Sequence, residues 1–235
     1  MLNNNIIALI VTLLIALAWL RLNNYFAHRG WISSEVSRKI IHIGTGPIFV
    51  LCWLFFNEAA TAPFLAALVP LGITAQFILV GSGIIQDPSA VEAMSRTGDR
   101  REILRGPLFY GIAFVLLTIL FWRNSPVGIV ALMILCGGDG LADIVGKRIG
   151  GVRLPWSPKK TLAGSITMLL GGFLFALLVV WVFVDQGFFT GSILDYILPI
   201  GVIAIGSTLV ESLPVIDIDN IIVPLFSVFL GLLLF

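Results

Sequence analysis

The sequence describes an all-α, polytopic integral membrane helical bundle of about eight transmembrane helices. Three observations point there. Of 235 residues, 58% are hydrophobic and only 11% charged; the apolar residues run in stretches of span length; and the basic residues collect in alternate loops. A soluble domain carries about 25% charged residues. A mean hydropathy of +1.05 leaves too little polar surface to clothe a cytosolic globular enzyme, a nucleic-acid binder or a disordered chain. At about 20 residues per crossing, the length holds roughly eight helices and their short loops, and no sizeable soluble domain besides.

Taken in order, the apolar stretches cover 6–22, 40–56, 63–80, 107–122, 127–149, 162–184, 193–213 and 218–235. The first is too long for a signal-peptide core and no basic residue precedes it, so it reads as a retained span. Pro70 in the third and Gly171-Gly172 in the sixth fit membrane helices, whose neighbours re-satisfy the backbone. Cys52 and Cys136 lie in separate apolar runs, the pattern of buried thiols rather than metal ligands. With no internal repeat and no low-complexity linker, residues 1–235 read as a single polytopic domain.

The loops test the number of spans independently, because Lys and Arg favour the cytoplasmic side. Arg21, Arg29, Arg38 and Lys39 fall around the first loop, Arg96, Arg100, Arg101 and Arg105 in the third, and Lys147, Arg148, Arg153, Lys159 and Lys160 around the fifth. Only Arg123 lies on the other side, so thirteen of the fourteen basic residues share one face. A wrong span count would scramble that alternation. The expected topology puts the basic loops in the cytoplasm and both termini outside. Net charge is only +1, so the placement of charges matters more than their sum.

Ionisable residues at bilayer depth are costly and are functional candidates for that reason. At about 1.5 Å per residue from Val127, Asp139 lies about 18 Å and Asp143 about 24 Å into a hydrocarbon core about 30 Å thick. Their i,i+4 spacing puts both carboxylates on one helix face. The small residues of Cys136-Gly-Gly-Asp-Gly-Leu-Ala-Asp143 let another backbone or a phosphate come close. Two carboxylates one turn apart suit Mg²⁺ when substrate phosphates complete its shell. The competing reading is an i,i+4 ion pair between Asp143 and Lys147.

Lys159-Lys160-Thr161, followed by Gly164-Ser165 at the start of a span, forms a plausible phosphate cradle of ammonium groups, hydroxyls and free helix N–H groups. A positive-inside anchor explains the same lysines. The run Gly140 to Lys147 is not a Walker A loop: its glycines are spaced wrongly and Arg148 follows the lysine. Arg38, Lys39 and His42 open the second stretch, with Arg38 and His42 on one face, and His42 is either a base or phosphate ligand or a satisfied structural residue. The loop from Ser95 to Glu102, with Arg100 and Arg101, either binds phosphate or anchors at lipid headgroups. Glu211-Ser212 ends the seventh stretch, and Asp217, Asp219 and Asn220 open the eighth, where acidic residues also serve as dipole caps. Together these clusters imply an anionic, phosphate-bearing substrate and a divalent metal at the cytoplasmic edge of a lipid-embedded pocket.

At these residues the chain resembles the phytol kinase and polyprenol kinase family, relatives of dolichol kinases and of CTP-dependent diacylglycerol kinases. The resemblance rests on Arg38-Lys39-Ile40-Ile41-His42, on Ser95 to Glu102 with Arg105-Gly106-Pro107, on Gly138-Asp-Gly-Leu-Ala-Asp143 with Gly146-Lys147, on Lys159-Lys160-Thr161 with Gly164-Ser165, and on Glu211-Ser212 with Asp217 to Asn220. The block 138–165 is the most specific. The resemblance implies transfer of the γ-phosphate of CTP, or UTP, to a long-chain isoprenoid alcohol, phytol foremost, for salvage into tocopherol and related lipids. It implies Mg²⁺ on Asp139 and Asp143, and phosphates cradled by Lys159, Lys160 and Thr161. Lys147, Gly164, Ser165, Arg38, Lys39, Arg100, Arg101 and Asn220 are further phosphate-side candidates. Asp139, His42 and Asp219 are the candidate bases. It also implies a photosynthetic source, with the protein in the plasma or thylakoid membrane of such a bacterium. The number of copies in the assembly is left open.

Within this family diacylglycerol or dolichol is an alternative acceptor. Phosphatidate cytidylyltransferase is the nearest enzymatic rival, but the acidic, His-bearing C-terminal signature expected of it is absent, since the only histidines are His28 and His42. A small transporter would also carry intramembrane carboxylates. Against it, the charged clusters gather at one face and no inverted repeat is visible.

Overall fold

The computed structural model describes residues 1–95, 97–214 and 218–235, and for Ser34 the backbone alone. Its helices form two compact units, Met1–Ile119 and Leu120–Phe235. Among the described residues seven helical segments are long and apolar enough to cross a membrane, and the eighth stretch forms a shorter apolar helix. This is the all-α polytopic bundle that the apolar pattern predicts.

The first unit contains α1 (Asn5–His28), α2 (Ser34–Cys52), α3 (Ala62–Ser82), the short α4 (Pro88–Met94), a 3₁₀ segment Arg100–Leu104 and α5 (Gly106–Phe121). Polar caps mark where several of these helices begin. Asn4 accepts from the Ile6 N–H, Ser33 from Val36 and Asp87 from Ala90. In water the Asp87 carboxyl is held below its usual range by the Ser89 hydroxyl and the Ala90 N–H. Helix α1 packs on α2 and α3, and the 3₁₀ segment on α3.

The second unit is built round one interrupted helix: α6 (Pro126–Met133), a π-helical segment Ile134–Asp139, and α7 (Gly140–Ile149). Apart from its last turns this helix is apolar on every side, and so it lies buried in its own unit. Around it pack α8 (Leu162–Asp185), α9 (Ile193–Glu211) and α10 (Asp219–Leu234). Leu162, Ile166, Leu170, Leu174 and Leu178 form an exposed stripe on α8, four residues apart, which is a face suited to lipid.

The π segment meets α8 at glycines. A Cβ on Gly138 would lie 2.7 Å from the Met168 sulfur, and one on Gly171 would lie 2.7 Å from the Gly137 carbonyl oxygen. About two turns on, Gly146 and Gly164 face each other across α7 and α8, where a Cβ on Gly146 would lie 3.4 Å from the Gly164 Cα. The small residues around Asp139 thus admit a second backbone, one of the two uses expected of them.

A hairpin joins α7 to α8, the one sheet among the described residues. Strands β1 (Arg153–Leu154) and β2 (Ser157–Thr161) run antiparallel, with Leu154 opposite Ser157 and Arg153 opposite Thr161. Pro155 and Trp156 form its two-residue turn. The hairpin leads directly into α8, where the Thr161 side chain accepts from the Gly164 N–H at 3.1 Å and caps the helix.

Candidate active site

Four elements of the second unit bring ionisable groups together. Asp139 closes the π segment, Lys160 stands on β2, Glu211 ends α9, and Asp219 opens α10. Lys160 forms an ion pair with Glu211, and its Nζ lies 4.0 Å from Asp219 Oδ2. The charge of Asp139 also acts on Lys160, on Glu211 and on Asp219. Two carboxylates therefore lie beside one ammonium group, and the charge of a third acts on it. Burial opposes the Lys160 charge, but Glu211, then Asp139 and Asp219, outweigh it and hold the ammonium above its ordinary 10.5. It stays charged at physiological pH.

The two lysines read together in the sequence part company here. Lys159 is exposed on β2, while Lys160 is only 25% exposed and reaches the carboxylates. Thr161 is the N-cap of α8, yet its hydroxyl can still donate to an oxyanion while its oxygen accepts from Gly164. One turn into the helix, the Ser165 Oγ is buried with no hydrogen-bond partner among the described residues. A buried polar atom in that state calls for an explanation, and an anion at this helix start supplies one.

Asp143 lies one turn beyond Asp139, on α7. Its Oδ2 lies 3.2 Å from Lys147 Nζ along α7, so the i,i+4 ion pair anticipated as its alternative reading is formed. The π segment ends at Asp139, where α7 begins. It interrupts the 3.6-residue repeat just before Asp139, and such bulges occur often at functional sites. Asn220 begins α10 beside Asp219, its N–H donating to Asp219 Oδ1 at 3.1 Å. Asp217 and Arg96, two members of the charged clusters, lie outside the described residues.

The remaining candidates belong to the first unit. Arg38 donates from Nη1 to the Ser95 carbonyl at 2.7 Å, which fixes the start of the charged loop. Thr97 holds Glu102 through its N–H and its hydroxyl. The His42 ring packs on Tyr110, with centroids 4.4 Å apart, and the Tyr110 hydroxyl donates to the His42 carbonyl at 2.8 Å. Lys39 is half-buried beside Arg38 on α2, while Arg100 and Arg101 are exposed on the 3₁₀ segment.

Against curated proteins, the chain is 40% identical over 234 residues to the probable phytol kinase 3, chloroplastic, of Glycine max, covering 97% of this chain and 72% of that one. The chain belongs to the phytol kinase family. It is 41% identical over 230 residues to the probable phytol kinase 2, chloroplastic, of Oryza sativa subsp. japonica, covering 96% and 74%. To the farnesol kinase, chloroplastic, of Arabidopsis thaliana it is 39% identical over 230 residues, again covering 96% and 74%. No protein-family profile and no solved structure matches it. For a chain of the phytol kinase family, Glu211 is the residue that the sequence left without a role. A carboxylate closing an apolar helix, at the end where the dipole disfavours it, was the available signal.

Proposed function

We propose that the chain transfers the γ-phosphate of CTP, or of UTP, to a long-chain isoprenoid alcohol, phytol foremost, giving phytyl phosphate for salvage into tocopherol and related lipids. The observation that carries this reading is the Lys160 ammonium among Asp139, Glu211 and Asp219, in a chain about 40% identical to proteins named phytol and farnesol kinases. Positioning and electrostatic stabilisation make up most of what phosphoryl transfer requires of a protein. An amphiphilic alcohol could present its hydroxyl at the edge of the bilayer while its tail stays among the helices, and no soluble domain is needed.

The donor set suits a divalent cation. Three carboxylate charges acting on one ammonium leave an excess of negative charge, which Mg²⁺ arriving with a nucleotide would neutralise. Among the described residues no group of three His, Cys, Asp or Glu side chains is placed to hold an ion. Asp139, with Asp143 one turn on, would hold Mg²⁺, and it would supply charge neutralisation on the phosphates. Lys160 then offsets charge on the transferring group, and the Thr161 and Ser165 hydroxyls with the first N–H groups of α8 bind phosphate oxygens. Lys159, Lys147 and Asn220 are further groups of the second unit for the nucleotide. The alcohol oxygen forms the new P–O bond, the bond to the β-phosphate oxygen breaks, and the nucleoside diphosphate leaves. Within the second unit Asp139 and Asp219 are the groups that could accept the alcohol proton.

The relatives' names place those proteins in chloroplasts, which favours a photosynthetic membrane as the setting over a bacterial plasma membrane. The test is purified protein in detergent given γ-labelled CTP, Mg²⁺ and a panel of phytol, geranylgeraniol, farnesol, dolichol and diacylglycerol. Label in a prenyl phosphate is the expected result. Label in no lipid, or loss of pyrophosphate from CTP with phosphatidate as acceptor, overturns the proposal.

A further inference from the structure

Glu211 occupies a position that does not favour a carboxylate. It is the last residue of α9, where the helix dipole presents its negative end, and its side chain is only 4% exposed. A buried ion is tolerated when paired, and the partner comes from far along the chain: Lys160, 51 residues away on β2. A second tie lies beside it. Trp156, in the hairpin turn, donates from Nε1 to Ser212 Oγ at 3.2 Å, and the Ser212 hydroxyl in turn donates to the Leu209 carbonyl at 2.7 Å. The hairpin is thus fastened to one helix end both through its turn and through the strand that carries the lysines. Buried pairs add little net stability over apolar packing, so this pair calls for an explanation other than stability.

We propose that Glu211 is a positioning residue for Lys160. By pairing with that ammonium it holds it beside Asp139 and Asp219, and so decides which of two adjacent lysines meets the transferring phosphate. The inference rests on the kinase reading above. Glu211 touches neither substrate; it acts through Lys160. Misplacing a charge at a transfer site by about 1 Å can cost about 10²-fold, so an effect of comparable size is expected when Glu211 is lost.

The test is a double-mutant cycle of Glu211→Gln and Lys160→Gln in the full chain, read as label passed from γ-labelled CTP to phytol. Glu211→Gln should lower kcat/KM for the nucleotide by about thirtyfold, raise its KM, and leave the phytol KM within about twofold. On the Lys160→Gln background the same change should add less than about threefold, because the two residues act as one unit. Glu211→Asp, which keeps the charge on a shorter stem, should recover part of the loss. Should Glu211→Gln fail to fold, the cycle is run with Glu211→Asp under the same criterion. Independent, multiplicative losses in an active protein, or an equal rise in both KM values without recovery by Asp, overturn the positioning role alone. A wild-type chain that phosphorylates no alcohol overturns the kinase reading and this role with it.

Discussion

The Asp143 carboxylate lies 3.2 Å from the Lys147 ammonium one turn along α7, whereas the charge of Asp139, four residues earlier, acts on Lys160. If Asp143 nonetheless helps to hold the metal, Asp143→Asn should raise the Mg²⁺ concentration for half-maximal activity by about tenfold, whereas Lys147→Met should change it little. A Mg²⁺ titration of both variants decides this. Equal shifts in the two would mean that Asp143 serves only the ion pair.

Lys160 and Lys159 should differ sharply. Lys160 is held among carboxylates while Lys159 is exposed, so Lys160→Met should lower kcat by about 10²-fold or more, and Lys159→Met by much less. Steady-state kinetics on the two variants supply the comparison, and equal losses would contradict the division of roles.

The pH dependence of Lys160 has a definite sign. Its folded-state value lies above the ordinary 10.5, so the stability from its pairing is fully present below that pH and is lost as pH rises through the folded value. Wild-type protein should therefore show a loss of thermal stability in the alkaline range above about pH 10.5 that Lys160→Met lacks. Thermal unfolding across pH 7 to about 11.5 checks it.

The membrane spans were legible because lipid imposes a simple demand, about 20 apolar residues without a break. Stretch 127–149 matches the helical extent Pro126–Ile149, but an all-round apolar run carries no sign of the π turn at Ile134–Asp139. The hairpin was also hidden. Pro158, Lys159 and Lys160 are poor strand formers, and β2 is held by pairing with Arg153 and Leu154 rather than by an alternating pattern. Of the site, Asp143 with Lys147 could be read from local spacing. The Lys160–Glu211 pair spans 51 residues and the Arg38–Ser95 contact 57, distances at which a single sequence carries no pairing signal.

Close packing of α8 on the π segment gives a stability prediction. A Cβ at position 171 would meet the Gly137 carbonyl oxygen at 2.7 Å and Leu141 at 2.9 Å, and the backbone atom has no rotamer with which to yield. Gly171→Ala should lower stability by about 2 kcal/mol. Gly72→Ala on α3, where a Cβ meets nothing within 4 Å, should stay within about 0.5 kcal/mol of wild type. Unfolding in mixed micelles compares the two, and matching losses would argue against tight contact at Gly171.

Asp139 is the carboxylate whose charge reaches Lys160, Glu211 and Asp219 alike. Wild-type protein and Asp139→Asn, both recovered from membranes in equal amount, should be compared for transfer of the γ-phosphate of labelled CTP to phytol in the presence of Mg²⁺. The expected result is prenyl phosphate from the wild type and none above background from the variant. Undiminished transfer by Asp139→Asn would contradict a reaction centred on this cluster.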